Sequence, residues 1–243
     1  MVYGIISDIH GSLEALEAVL AELSGVDAFV CLGDIVGYGP DPGACVERVR
    51  GLPNLTCVAG NHDLAAVGDY DANWFNLYAG QAIVWTSQQL RAEQKAYLSS
   101  LRRADHVADA EVVHGSLAEP MSYITDVGEA IDCFDEMQSQ LCFVGHTHVA
   151  EYYRRSDDTG SCEQVPLLSG GGIKLEAGMS YIINAGAVGQ PRDGNPAAAF
   201  GIYDPEARTV EVRRIEYDIA RVQDKMQRAG LPASLVERLA RGR

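Results

Sequence analysis

The sequence predicts an α/β fold built on two sheets. Two observations carry that expectation. Through residues 2–144, short apolar runs alternate with stretches of helical periodicity, the β-α-β rhythm of a layered α/β core. After His148 the helical patterns give way to strand-like segments joined by turns, which suits a largely antiparallel second sheet packed on the first.

Residues 2–7 read as the first strand. Ser12 is placed to cap a helix with Leu13, Leu16, Leu20 and Leu23 on one face. Residues 28–32 form a second buried strand, followed by the loop Gly37-Tyr38-Gly39-Pro40-Asp41-Pro42. Pro42 suits the first turn of a helix running to about Arg50, and Asp41 its N-cap. Residues 55–59 are a third strand, residues 76–101 two helical segments, and residues 111–113 and 141–144 further strands around a helix near 129–139. Strand candidates then follow at residues 151–155, 164–168, 180–184, 198–204 and 209–217, with Gly170-Gly171-Gly172 as a flexible turn. The tail, residues 218–243, reads as two helices broken at Gly230-Leu231-Pro232. No repeat or linker divides the 243 residues, so they are expected to form one domain with a helical tail.

Lys and Arg number 19 against 34 Asp and Glu, a net charge of −15. That balance opposes non-specific nucleic-acid binding and anionic membrane surfaces, both of which need basic protein. No apolar run approaches the ~20 residues of a membrane span, and no signal peptide is legible. The expected location is the cytoplasm. The six cysteines form no C-x-x-C pair, and Cys31, Cys57 and Cys142 lie in apolar strand-like runs. They read as buried, inert thiols rather than a disulfide framework.

Five of the six histidines stand in short motifs, each just after an apolar run: Asp8-Ile9-His10, Gly33-Asp34, Gly60-Asn61-His62-Asp63, His114-Gly115 and Gly145-His146-Thr147-His148. Alone, D-x-H and G-D are weak signals. G-N-H-D is more specific, and G-H-T-H is the strongest, since an extended backbone points both its imidazoles the same way. Together they predict two divalent cations held at strand ends and activating water against a phosphate ester. Imidazole mixed with hard oxygen suits Mn, Fe, Zn, Co or Ni, with manganese favoured. Two carboxylates against two such cations leave the pocket positive and attractive to phosphate. His106 lies outside every motif and reads as an ordinary surface or packing residue.

The order D-x-H, G-D, G-N-H-D, H-G, G-H-T-H resembles the calcineurin-like metallophosphoesterase family. The resemblance covers about residues 1–150 and continues into the stretch from Asn184 to Arg192, which looks like the small prokaryotic phosphodiesterase branch, diadenosine-tetraphosphatase-like proteins included. It implies a four-layer α/β/β/α sandwich with two mixed sheets. It implies that Asp8, His10 and His148 hold one metal, that Asn61, His114 and His146 hold the other, and that Asp34 bridges both. It gives His62 a place facing substrate, where it stabilises phosphoryl oxygens or protonates the leaving alkoxide, with a metal-bridging hydroxide as nucleophile.

The chain departs from the protein-phosphatase branch, whose G-D-x-x-D-R-G supplies an Asp to orient the catalytic His and an Arg to contact phosphate. Here the stretch reads Gly33-Asp34-Ile35-Val36-Gly37-Tyr38-Gly39. His62 lacks that carboxylate, for which Asp63 is a candidate substitute. Arg192 either donates to a phosphate oxygen or stands solvated in its Gly/Pro turn. Tyr38 either lines the site and stacks on a base or packs as an ordinary ring. The expected activity is hydrolysis of a small phosphate mono- or diester or a nucleotide. A dinucleoside polyphosphate hydrolase, a protein phosphatase, and a non-catalytic metal-binding scaffold are the alternatives.

Overall fold

The computed structural model describes the backbone of residues 1–243 and every side chain except that of Ala72. In chain order the elements are β1 (Tyr3–Ile6), α1 (Leu13–Glu22), β2 (Ala28–Cys31), α2 (Pro42–Arg50), β3 (Leu55–Cys57), α3 (Asn61–Val67), α4 (Leu77–Gln89), α5 (Ala92–Ser99), β4 (Ala104–Val107), β5 (Ala110–Val113), α6 (Val127–Glu136), β6 (Leu141–Val144), β7 (Ala150–Ser156), β8 (Cys162–Pro166), β9 (Gly171–Lys174), β10 (Met179–Ala185), β11 (Ala198–Asp204), β12 (Thr209–Ile215), α7 (Ile219–Arg228) and α8 (Ala233–Leu239). A 3-10 turn, Ala72–Trp74, precedes α4.

Two mixed six-stranded sheets run in the orders β3-β2-β1-β11-β12-β9 and β4-β5-β6-β10-β7-β8. In the first, β1, β2 and β3 are parallel. In the second, β5, β6 and β10 are parallel. The late strands do not make a sheet of their own. β11 pairs antiparallel with β1 and β7 antiparallel with β10, so both sheets are completed by the C-terminal half. Periodicity marks a strand without marking its partner, which is why the sequence suggested a separate antiparallel layer.

Both faces of each sheet are buried. Ile5 of β1 and Leu141 and Phe143 of β6 pack between the sheets. Ile6 turns the other way, into the helices α1 and α2, and Cys142 and Val144 turn toward α6. This period-two alternation onto two apolar layers yields the α/β/β/α order. Truncating the wholly buried Phe143 to Ala costs about 3–5 kcal/mol.

Three local expectations need correction. Gly171–Lys174 is not a flexible turn but the edge strand β9, whose main chain pairs with β12 from Val212↔Gly171 to Thr209↔Lys174; such pairing needs no side-chain pattern. Ser12 precedes α1 but makes no capping bond, and its Oγ is left unpartnered. Asp41 precedes α2 without capping it by its side chain; its Oδ2 accepts from Lys225 Nζ at 2.5 Å, and Glu14 accepts from the same ammonium at 2.8 Å. This ion cluster ties α7 to α1. The strand β4, unforeseen because its exposed sequence A-D-H-V lacks apolar alternation, hydrogen-bonds β5 at the sheet edge. All six cysteines are free, as expected. Among the described residues, no helix is long and apolar enough to cross a membrane.

The helical tail folds back over the molecule. Val222, Met226, Leu235 and Leu239 of α7 and α8 pack with Ala79 and Ala82 of α4 and with the Tyr38 ring. The tail thereby lies against the loop that follows β2.

Candidate metal centre

The motifs converge at one end of the two sheets, beyond the carboxyl ends of the parallel strands, where α/β folds place ligand crevices. Asp8 and His10 follow β1, Asp34 follows β2, Asn61 opens α3 just after β3, His114 follows β5, and His146 and His148 follow β6. All seven are buried. Five of them hold left-handed backbone, with φ of 52° at Asp8, 49° at His10, 52° at Asp34, 68° at His146 and 60° at His148. For non-glycine residues this conformation costs on the order of 1–3 kcal/mol each, and its concentration here marks a site where stability yields to placement.

His146 and His148 therefore do not lie on extended backbone, and their rings do not point the same way. His148 Nε2 stands 3.2 Å from His10 Nε2 and 3.3 Å from Asp8 Oδ1. His146 Nδ1 stands 3.1 Å from His114 Nε2. The left-handed turn between them sends one imidazole into each of two groups that could hold a metal ion: Asp8, His10, Asp34 and His148, and Asp34, His114 and His146, with the ligand atoms of each group within 4.8 Å of one another. Asp34 belongs to both. Its Oδ2 lies 3.4 Å from His114 Nε2 and 3.6 Å from His10 Nε2.

The hydrogen bonds fix which atoms are available. A ring nitrogen facing a carbonyl must donate to it. His10 Nδ1 donates to Val36 O at 3.1 Å, His114 Nδ1 to Leu32 O at 2.7 Å, His148 Nδ1 to Gln190 O at 2.6 Å, and His146 Nε2 to Met121 O at 3.1 Å. In each neutral ring the other nitrogen is then a bare lone pair aimed into the pocket, the arrangement that orients metal-ligating imidazoles. Asp8 Oδ1, Asp34 Oδ2 and Asn61 Oδ1 are also buried with no hydrogen-bond partner. Lone pairs and unpaired carboxylate oxygens crowded together repel unless cations lie between them, so the donor set fits divalent ions.

The electrostatics of these groups agree. Burial holds the His10 and His148 imidazoles well below their usual range and brings His146 to about 3. Burial lifts the Asp8 carboxyl to about 6. His114 goes the other way: burial opposes its charge, but the Asp34 carboxylate 3.4 Å away outweighs it and raises it to about 10. Burial also opposes ionisation of Asp34, yet His114 and His62 hold its carboxyl well below the ordinary value.

His62 sits on the first turn of α3, its main-chain N–H donating to Asp34 Oδ1 at 2.8 Å. The neighbouring Gly60 is a requirement of that turn, since a Cβ there would come within 2.0 Å of Asp34 Oδ1. Asp63 does not orient His62. Its Oδ1 accepts from Val36 N and its Oδ2 from Gly60 N, both at 3.1 Å, so it is spent on backbone donors, as befits a carboxylate at the N3 position of a helix. His62 Nδ1 is buried and unpartnered. Gly37 occupies the place of the missing orienting Asp, and a Cβ there would lie 2.7 Å from His62 Nδ1. Aromatic packing positions the ring instead: Tyr38 at 4.5 Å, Phe75 edge-on at 4.7 Å and His10 edge-on at 4.7 Å between centroids. Burial lowers the His62 imidazole to about 4.

Arg192 is beside the pocket rather than solvated away from it. Its Nη2 donates to Gln190 Oε1 at 3.1 Å and Tyr38 Oη at 3.3 Å, and its charge is felt by His10, His62, His146 and His148. Tyr38 is packed between this guanidinium and the rings of His10 and His62. Sequence reasoning missed three neighbours: Phe75, Tyr123, whose half-exposed ring stacks on His146 at 3.9 Å, and Arg238 of α8, 6.0 Å from the Tyr38 centroid. None lies in a motif, and only the fold brings them here. His106 is an exposed residue of β4 remote from these motifs, as expected.

Comparison with known proteins follows this geometry. The model of the calcineurin-like phosphoesterase superfamily domain matches residues 1–208. A crystal structure of a metallophosphoesterase from Sphaerobacter thermophilus superposes with a TM-score of 0.88 at 46% identity, covering 100% of this chain and 99% of that one. An uncharacterized protein of Methanocaldococcus jannaschii is 38% identical over 252 residues, covering 98% of this chain and 97% of that protein. A hypothetical protein from Pyrococcus horikoshii shares the fold at 17% identity, with a TM-score of 0.80 over 100% of this chain and 98% of that one.

Proposed function

This chain belongs to the calcineurin-like phosphoesterase superfamily, and on that premise we propose that it is a dinuclear metal-dependent hydrolase of small phosphate mono- or diesters, nucleotides among them. The observation that carries the reading is the unpartnered Oδ2 of Asp34, common to both His/Asp groups. Asp8, His10, Asp34 and His148 would hold one cation, and Asp34, Asn61, His114 and His146 the other. Imidazole with hard oxygen points to a first-row divalent ion, manganese being the first to test. The family domain and the tail packed on it work as one unit.

The bound cations supply Lewis acidity toward the phosphoryl oxygens and lower the pKa of the attacking water. The protein does the rest. Asp34 fixes the start of α3 through the His62 N–H and so sets where His62 stands. Burial keeps that imidazole neutral, and the negative charge of a bound phosphate opposes burial. As the phosphate binds, the ring takes a proton from solvent; it then gives that proton to the leaving alkoxide and returns to the neutral form. Arg192, buttressed by Gln190 and Tyr38, directs charge-assisted hydrogen bonds at phosphate oxygens.

Chelated protein reloaded with manganese tests the reading against p-nitrophenyl phosphate, bis-p-nitrophenyl phosphate and a nucleotide panel. Turnover that vanishes on chelation and returns on reloading supports it. Metal-replete protein inert on the whole panel favours a binding scaffold instead.

A further inference from the structure

Two guanidinium groups share the Tyr38 ring. Arg192 Cζ lies 5.7 Å and Arg238 Cζ 6.0 Å from its centroid, within cation–π range. They come from distant segments, the loop after β10 and the helix α8. The ring they share packs 4.6 Å from His10 and 4.5 Å from His62. Two positive charges thus stand one aromatic ring away from the His/Asp pocket. Arg238 lies beyond residue 208, where the matched family domain stops, so the second charge comes from the tail.

Two like charges on one ring, partly out of water, repel unless something compensates them. Burial, and then Arg192, makes the Arg238 guanidinium easier to deprotonate than usual. Other arginines nearby in the chain take carboxylates: Arg213 pairs with Glu211 and Arg214 with Asp193. Arg192 instead donates to a phenol and an amide, and the Nε of Arg238 is already engaged by an oxygen of Arg243, the last residue described. Among the described residues, no Asp or Glu side chain engages either one, in a chain with 34 acidic side chains to 19 basic ones. Donors also remain unused. Arg192 Nε is buried without a partner, and so is Nε2 of Gln190, a side chain 1% exposed. Arg192 stands nearer the pocket: its main-chain N–H donates to His148 O at 3.1 Å, and the Gln190 it bonds accepts from His148 Nδ1 at 2.6 Å.

We propose that Arg192 and Arg238, which share the Tyr38 ring, with Gln190 hydrogen-bonded to Arg192, form a second anion subsite, so that the preferred substrate carries a further phosphate adjoining the scissile one, as nucleoside di- and polyphosphates do. The proposal rests on the phosphoesterase reading of the pocket. Arg238 is a specificity residue in it. It contacts the distal phosphate, and the scissile phosphoryl belongs to the pocket and Arg192.

Equilibrium binding of ADP and AMP to manganese-saturated protein tests this by calorimetry. Arg238→Gln should weaken ADP roughly tenfold or more and AMP by less than about threefold. Arg238→Lys, which keeps the charge but loses the planar fork, should weaken ADP less than Arg238→Gln does. It carries the test alone if the Gln variant fails to fold, and then ADP must still suffer more than AMP. Equal losses for both nucleotides would place Arg238 on the phosphate they share and overturn the proposal, as would no loss for either. If wild-type protein discriminated ADP from AMP through Arg238 yet hydrolysed no phosphate ester, the catalytic reading would fall while the subsite stood.

Discussion

Asp34 and His62 are tied through a single oxygen. The His62 main-chain N–H donates to Asp34 Oδ1 at 2.8 Å, which leaves Oδ2 without a hydrogen bond, 3.4 Å from His114 Nε2 and 3.6 Å from His10 Nε2. One carboxylate sets the catalytic helix and faces both His/Asp groups. Asp34→Asn keeps an acceptor for the His62 N–H but surrenders the shared charge. Elemental analysis should find both cations depleted, and turnover should fall with them. Wild-type stoichiometry in this variant would remove Asp34 from its bridging place.

His62 belongs to neither of the two His/Asp groups. His62→Gln should therefore keep its metal content while kcat drops by ~10²–10⁴, the range typical of a lost general acid. Turnover near wild type would contradict the proton-transfer role, and lost metal would make His62 a ligand.

Because no carboxylate orients His62, its aromatic neighbours must. Phe75→Ala removes the ring that meets His62 edge-on at 4.7 Å. The expected result is a kcat lower by roughly tenfold, the scale of a small misplacement of a reacting group, with metal content and KM little changed. Unchanged kcat would show that packing against Tyr38 and His10 suffices.

Much of this centre was legible because metal chemistry constrains residue type. Asp8, His10, Asp34, Asn61, His114, His146 and His148 each announce themselves as polar groups just after a strand, and the structure brings six of them into two His/Asp groups that share Asp34, with Asn61 buried at the start of α3. Backbone direction was not legible. G-H-T-H suggests an extended strand with parallel imidazoles, whereas the positive φ at His146 and His148 separates the rings. Asp63 looked free to hold His62 because sequence does not show that Val36 and Gly60 claim its oxygens. Phe75, Tyr123 and Arg238 carry no motif; long-range packing alone places them. In the fold, the alternation in β1, β2 and β6 was readable, but β9 forms from glycines whose pairing depends wholly on β12.

The His114–Asp34 pair predicts a pH signature. For His114, burial opposes charge, but Asp34 and then Asp8 outweigh it and lift the folded pKa from 6.5 to about 10. Since the folded value is the higher one, the associated stability is fully present below pH 6.5 and is lost as pH rises through about 10. Melting of metal-free protein should thus fall between about pH 7 and about pH 9 by more in wild type than in His114→Asn, the difference being on the order of 2 kcal/mol. Identical pH dependence in the two proteins would mean that His114 is not held protonated by Asp34.

Anomalous diffraction at the manganese edge, from crystals grown with that ion, tests the central claim most directly. Two peaks should appear, one among Asp8, His10 and His148 and one among Asn61, His114 and His146, with Asp34 Oδ2 in contact with both. A pocket without a peak, or peaks that Asp34 does not join, would contradict the two-cation account.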